Sequence, residues 1–310
     1  MSNLKKRQHY VWRKYLRAWT TNDSIWTLLK EQDKVLKIGL MGVAQEKYFY
    51  ELVDLSDTEE AFLEKFINHI SPESVRSLNL DFFYLFTSHY KLRKQLSESK
   101  LITTIEKDKL EAKIRELEVN LMEDSHCIFE SIGNKITNCR IPTDLEFLES
   151  EDDFFETIMF LCFQYFRTKK MKKSVLKSFE NEKNFSVEKF WNIISYSMST
   201  ILARSLSLDQ KLKFLVYDNQ TDQAFLTNDQ PIFNILNNDE DENGYVKELE
   251  LYYPISPKLA FSIHFRNQTD KIENIIINKN MVNWFNERII ENSNEFIFSE
   301  NEIQLNQITI

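Results

Sequence analysis

Glycine is scarce in this chain, with four in 310 residues, and the shortage removes whole classes of chemistry. Neither GxGxxG nor GxxxxGK(S/T) occurs, so the glycine-built phosphate loops of Rossmann and P-loop proteins are excluded. The three cysteines, Cys127, Cys139 and Cys162, show no CxxC spacing, which suits a reducing compartment and offers no zinc framework. His69, His89, His126 and His264 occur singly, without HExxH or a Cys/His zinc pattern, and no GxSxG elbow is present. No metal site is therefore expected, and no cofactor can be named. An apolar run of membrane-spanning length is missing too, and the N-terminus is charged rather than secretory, so a cytoplasmic protein without a membrane partner is expected. Excess positive charge is also lacking. A formal net charge of -9 opposes nucleic-acid binding by bulk electrostatics and leaves only a local basic groove, for which Lys5-Lys6-Arg7 and Lys169 to Lys173 are the basic segments. Such clusters also occur as solvated helix ends.

What is present points to a helix-rich globular chain: hydrophobic residues make up 42% and charged ones 28%. Two strand-like runs, Ser24 to Lys30 and Lys34 to Ile38, flank a hairpin-length connection. Helical spacing follows over Thr58 to Ile70, then from Pro72, with Ser71 as its cap, to about residue 96. The longest helical stretch is Glu106 to Glu130, with a Leu110, Ile114, Leu117, Leu121 stripe. Asp152 to Lys170 and Ser186 to Leu206 continue the helical middle. From Lys211 the pattern turns to strands: Lys213 to Tyr217 and Ala224 to Thr227 read as a hairpin around Asp218 to Asp222. Asn237 to Gly244 reads as an acidic loop, Glu248 to Tyr253 and Leu259 to Phe265 as strands, 278 to 291 as a helix, and Glu295 to Phe298 as a closing strand. The expected fold is α+β, a helical middle packed with a mostly antiparallel sheet formed by the N-terminal hairpin and the C-terminal strands. A single domain over 1–310 is expected, helix-rich up to about 210 and strand-rich from 211.

Four stretches carry polar residues where apolar ones are the rule. The first, Gln8-His9-Tyr10-Val11-Trp12-Arg13-Lys14-Tyr15-Leu16-Arg17-Ala18-Trp19, reads as a helix with His9, Arg13 and Arg17 along one face beside an aromatic stripe. His9 can act as acid or base or be a packed, hydrogen-bonded residue. In Ile158 to Thr168 the helix is apolar all round except for Gln164, with Arg167 one turn on; Gln164 is either a hydrogen-bond anchor or part of a central polar pocket. Thr227-Asn228-Asp229-Gln230-Pro231 leaves a strand, where Asp229 can serve as base, metal ligand or arginine partner, or form an Asx turn with Asn228. Pro254-Ile255-Ser256-Pro257-Lys258 reads most simply as a rigid strand connection.

Together these stretches resemble a widespread, mainly bacterial family catalogued as a domain of unknown function. Its members show HHYVPxxYLRxF-like, QxxRT, TSDxPV and PLSPxxxL motifs in this order. Gln8 stands where the family often has a first histidine, and Trp12 replaces its usual proline. The resemblance implies that the marked polar residues belong together and implies no particular activity.

Two functional readings follow. In one, His9, Arg17, Gln164, Arg167 and Asp229 form a catalytic set, with Gln8, Tyr15, Asn228 and Lys258 as substrate contacts. Two arginines, a histidine and a carboxylate suit a phosphate-bearing substrate, a nucleic acid or nucleotide, and hence a nuclease or other phosphate-handling enzyme. The kind of family, rather than any residue, suggests an effector of phage defence or a toxin system. In the other reading the protein is a non-catalytic interaction module, the same residues form a buried structural network, and the acidic surface meets a protein partner. Under both, Arg167 and Asp229 are expected to pair. Trp12, Tyr15 and Trp19 carry too much apolar surface to be left in water. Deleting residues 1–20 should therefore give insoluble or loosened protein, and an unchanged melting temperature would contradict that expectation.

Overall fold

Apolar residues recurring every three or four positions, closed by good caps, build the helical middle. The structure is a computed structural model describing residues 4–179, 186–208, 212–236, 248–265 and 271–309. The chain opens with β1 (Arg7–His9) and α1 (Arg13–Leu16), the latter running into a 3-10 turn over Arg17–Trp19. The hairpin of β2 (Ser24–Leu29) and β3 (Lys34–Gly39) follows, then β4 (Gln45–Lys47). Helix α2 (Asp57–Ile70) starts in a capping box in which the Ser56 hydroxyl and the Glu59 carboxylate satisfy each other's backbone N–H groups. Residues 73–96, expected as one helical stretch, divide into α3 (Glu73–Phe86) and α4 (Ser88–Glu98) at Thr87, whose hydroxyl donates back to the Phe83 carbonyl at 2.9 Å. Ser71 is not the expected cap, since Pro72 holds the N-cap position and the Ser71 hydroxyl accepts from Asn79.

Helix α5 (Thr104–Ile132) has a second capping box, from Thr103 and Glu106. The short α6 (Asn134–Asn138), α7 (Glu151–Phe166), α8 (Lys169–Lys177) and α9 (Trp191–Leu208) complete the middle. Helices α7 and α9 are buried on most sides, and Phe160, Phe163 and Tyr196 fill the core between them and α5, whose Phe129 stacks on Phe163. Gly133, joining α5 to α6, is a packing requirement: a Cβ there would overlap the Phe160 ring.

The remaining elements are β5 (Leu212–Asn219), β6 (Thr227–Asn228), β7 (Phe233–Asn234), β8 (Leu251–Ser256), β9 (Leu259–Phe265), β10 (Ile272–Ile277), α10 (Lys279–Asn292), β11 (Phe296–Ser299) and α11 (Glu302–Asn306). The architecture is α+β with largely antiparallel sheets, as expected. The N-terminal hairpin joins C-terminal strands in a four-stranded sheet of order β3-β2-β11-β6. The other C-terminal strands form their own five-stranded sheet, β10-β5-β9-β8-β7, in which β10, not anticipated from the sequence, lies parallel to β5. Strands β1 and β4 make a separate antiparallel pair. A second core of Leu28, Tyr217, Phe225, Tyr252, Phe285 and Ile297 joins the two larger sheets to α10, with Phe285 stacked on Tyr252 at 4.6 Å.

One expected hairpin does not form. Strand β5 pairs with β9 and β10, whereas Thr227–Asn228 pairs with β11 in the other sheet. The turn chemistry between them serves to change sheets: the Asn219 amide donates to the Gln223 carbonyl at 2.7 Å and to the Pro257 carbonyl at 3.2 Å, and its oxygen accepts from Thr221 N. The loop read at Asn237 to Gly244 lies outside the described residues. Among the described residues no helix is long and apolar enough to cross a membrane.

At a φ that alanine can adopt, such as the -67° of Gly133, alanine for glycine is ordinarily neutral or stabilising. Gly133→Ala should instead cost about 1–3 kcal/mol by forcing Phe160 to move. In urea unfolding the midpoint should fall with an unchanged slope; a rise would show that the ring has room.

Candidate functional site

Strand alternation decides what the N-terminal segment presents. In β1 successive side chains point to opposite faces, so Arg7 and His9 share one face and Gln8 takes the other. The helical reading that put His9 in line with Arg13 and Arg17 therefore fails at His9, because residues 7–9 are a strand held by Lys47, Glu46 and Gln45 of β4. Ala44 and Tyr48, flanking β4, adopt left-handed φ angles of 47° and 60°. Their backbone groups close the pair, with Tyr10 N donating to Ala44 O and Tyr48 N to Lys6 O. A left-handed tyrosine is held only where surrounding contacts over-determine it.

Gln8 points into the core, where its amide donates to the Val119 carbonyl at 2.6 Å and accepts from Tyr50 N at 2.6 Å. Arg7 and His9 face a cleft of about 430 Å³ between this segment and α5. Five cations line it: Lys5, Arg7, Arg13, Lys14 and Arg17. Lys5 pairs with Asp124, Lys14 donates to Asn134, and the exposed Arg17 pairs with Asp23 at 3.5 Å. Among the described residues Arg7 and Arg13 make no ion pair, and the Arg13 guanidinium rests on the Met41 sulfur. The wall opposite is α5, which contributes Glu123, Cys127 and Glu130 at helical spacing. Trp12 and Met41 complete it.

Two titratable groups in this cleft are pushed in opposite directions. Burial, with the neighbouring Arg13 charge, lowers His9 to about 4, so the ring is neutral at neutral pH. Its hydrogen bond to the Leu40 backbone opposes that shift, and Nε2 has no partner among the described residues. Burial raises Glu123 to about 7, Arg167 pulling the other way, and its Oε2 has no partner either. Opposed shifts of this kind in a cleft are the usual setting of an acid and a base.

Arg167 lies beneath the cleft, not in it. Its Nε donates to the Tyr50 hydroxyl at 2.9 Å, Nη1 to Glu130 at 2.7 Å and Nη2 to the His9 carbonyl. The expected Arg167–Asp229 pair is not formed: Asp229 accepts from the backbone N–H groups of Asn294 and Glu295, both at 2.8 Å. Those N–H groups stabilise the carboxylate in place of a cation, although burial pushes its pKa up. Asn228 donates to the Ile289 carbonyl and accepts from Gln230 N at 2.8 Å. Tyr15 shares a 2.6 Å hydrogen bond with Thr227 and stacks on Tyr253 at 4.9 Å. Gln164 is buried in α7, with Nε2 unpartnered among the described residues, and Lys258 donates to the Thr221 carbonyl at the protein surface. The first three sequence motifs thus interlock, since the Thr168 hydroxyl also donates to Gln230, whereas Pro257 and Lys258 of the fourth meet Asn219 and Thr221. Of the residues given catalytic or substrate roles from the sequence, only His9 and Arg17 line the cleft, where Lys5, Arg7, Trp12, Arg13 and Lys14 of the same N-terminal stretch join them. Sequence reasoning missed Glu123 and Glu130, seven residues apart on α5.

The second basic stretch, 169–173, is paired off. Lys169 meets Glu46 and Glu295, Lys170 the Asn292 carbonyl, Lys172 Glu188, and Lys173 Asn294. Asp54, His89 and Glu118 bring three metal-ligand atoms within 4.8 Å of one another. Arg93 already supplies a cation there, donating to Asp54 and Glu111 at 2.7 Å and to Glu118. Its two carboxylates are therefore held in an ion-pair network, while the buried His89 Nε2 lies 3.3 Å from Asp54 with no hydrogen bond among the described residues.

The chain belongs to the family described as Protein of unknown function (DUF4238), which it matches over residues 7–74 and 106–302. All four motifs and the α5 wall of the cleft lie in the matched residues. Comparison with curated proteins and with solved structures gives no match.

A carboxyl that keeps its proton up to about 7 when folded, against an ordinary 4.5, destabilises the fold progressively as pH rises between those values. Glu123→Gln should thus raise the unfolding free energy on the order of 2 kcal/mol at about pH 8 and add little at about pH 4. A variant less stable at both pH values would show that the carboxylate is needed by the fold.

Proposed function

We propose that the cleft binds a phosphate ester and hydrolyses it, with Arg7 and Arg13 holding the phosphoryl oxygens, His9 as base and Glu123 as acid. The observation that carries this reading is the meeting, in one cleft, of two arginines that make no ion pair among the described residues with a buried histidine and a half-buried glutamate, whose Nε2 and Oε2 have no partner there. Guanidinium is a fork-shaped donor suited to phosphate, and a local cluster of cations focuses an attractive field even on a protein of net charge -9.

The proton bookkeeping closes. A water oxygen attacks phosphorus while its proton passes to His9 Nε2. The P–O ester bond breaks, its electron pair stays on the leaving oxygen, and that oxygen takes the proton of Glu123. Solvent then returns the imidazolium and carboxylate to their resting forms. His9 is a weak base chiefly because it is buried, with the charges of Arg13, Arg167 and Arg7 adding to that effect; a bound phosphate offsets those charges and strengthens it. Arg167 is a positioning residue here, fixing the His9 backbone against Glu130 of α5.

The alternative is a non-catalytic interaction module. It draws on the full pairing of Gln8, Arg167 and Asp229, which suits a structural network, and it implies no phosphate affinity. Titration of the full chain with inorganic phosphate separates the two. The proposal expects saturable binding that Arg7→Ala and Arg13→Ala each weaken by about tenfold or more, with melting temperatures nearly unchanged because both side chains are exposed. Lys258→Ala, a cation outside the cleft, should have no effect. Absence of binding, or equal losses with all three variants, would overturn it.

A further inference from the structure

Not all of the cleft is ionic. The indole of Trp12 and the side chain of Met41, itself 50% exposed, line the same space as Arg7 and Arg13. Trp12 is fixed from behind by an edge contact with Phe160 at 5.9 Å. Met41 projects from a 3-10 turn over Leu40–Gly42 that links the N-terminal hairpin to β4. At about 430 Å³ the cleft is several times the size of a bare phosphate and falls in the range of small-molecule sites, roughly 300–1,000 Å³. A ligand consisting only of phosphate would leave unused the indole, over which Lys14 Nζ lies 5.8 Å from the ring centroid, and the Met41 side chain, whose sulfur meets Arg13. A lipid phosphate would need a continuous apolar channel, whereas the wall of this cleft is interrupted by Lys5, Lys14 and Arg17.

We infer that the ligand is a nucleoside phosphate, its base lying against Trp12 and Met41 and its phosphate between Arg7 and Arg13. This deepens the phosphate-ester reading and rests on it. A flat indole is a stacking surface for any base, and methionine is the side chain that adapts best to a planar partner. Both lie beside cations, so one rigid ligand of nucleotide size can reach the two kinds of surface together. His9 lines the same space, 7% exposed, and its buried Nε2 has no partner among the described residues, so a polar group there is left for a ligand to meet.

The test is calorimetric titration of the full chain with inorganic phosphate, ribose 5-phosphate and the four common nucleoside 5′-monophosphates. At least one nucleotide should bind about tenfold or more tightly than ribose 5-phosphate. Met41→Ala, a half-exposed change that spares the core, should narrow that margin several-fold, and Trp12→Leu should narrow it further if it folds. Ribose 5-phosphate matching every nucleotide would overturn the nucleoside inference and leave phosphate binding standing. A margin that survives Met41→Ala unchanged would overturn it as well. Failure of all the ligands to bind would remove the phosphate reading and this inference with it.

Discussion

A guanidinium buried away from water must be matched on every side, and the way Arg167 is matched sets the arrangement of its surroundings. Its partners come from three distant parts of the chain: the His9 carbonyl in β1, the Tyr50 hydroxyl after β4, and Glu130 near the end of α5. The Tyr50 ring also lies under the charge, 5.6 Å from the guanidinium carbon. Removing any of these would strand a charge or a donor in the core, at a cost of several kcal/mol for a buried pair. The N-terminal segment is consequently fastened to α5 by its backbone. Its outward side chains then stand over the α5 carboxylates.

The fastening is doubled by the same short stretch. Gln8 bridges Val119 and Tyr50, Tyr15 reaches Thr227 in one sheet and Tyr253 in the other, and the Trp19 indole donates to the Phe225 carbonyl at 2.8 Å. Polar residues that look like chemistry in the sequence mostly hold elements together here. What they leave on the outside is a cleft with excess positive charge on an acidic protein, with one group kept neutral by burial and another kept near its midpoint by the same cause. Structure and proposed chemistry are therefore linked through two adjacent residues of opposite direction, Gln8 inward and His9 toward the ligand.

Much of the architecture was legible because hydrophobic periodicity is a local signal. The Leu110, Ile114, Leu117, Leu121 stripe announces α5, and the β2–β3 hairpin reads directly from its two strand-like runs. A three-residue strand such as β1 is too short to show a period, and the helix beginning at Arg13 was extended backward through it. The Asn219 turn was visible, but its side chain directs the chain out of one sheet and toward the other, and local turn chemistry does not reveal which strand comes next. Glu123 and Glu130 were illegible for a related reason. On an amphipathic helix covered with charges of both signs, nothing local distinguishes a solvated carboxylate from one roofed by a segment more than a hundred residues away. Conversely, Arg167 and Asp229 were correctly recognised as buried charges in need of partners, yet the pairing was wrong, because backbone N–H groups satisfied the aspartate.

The central claim is that the N-terminal strand holds a neutral, buried imidazole at the floor of an anion site. NMR titration of the His9 ring in the full-length chain tests it most directly, first alone and then with saturating phosphate. The account predicts a free pKa depressed to about 4 and a clear upward shift when phosphate is bound. A value near 6.5 that does not respond to phosphate would contradict it.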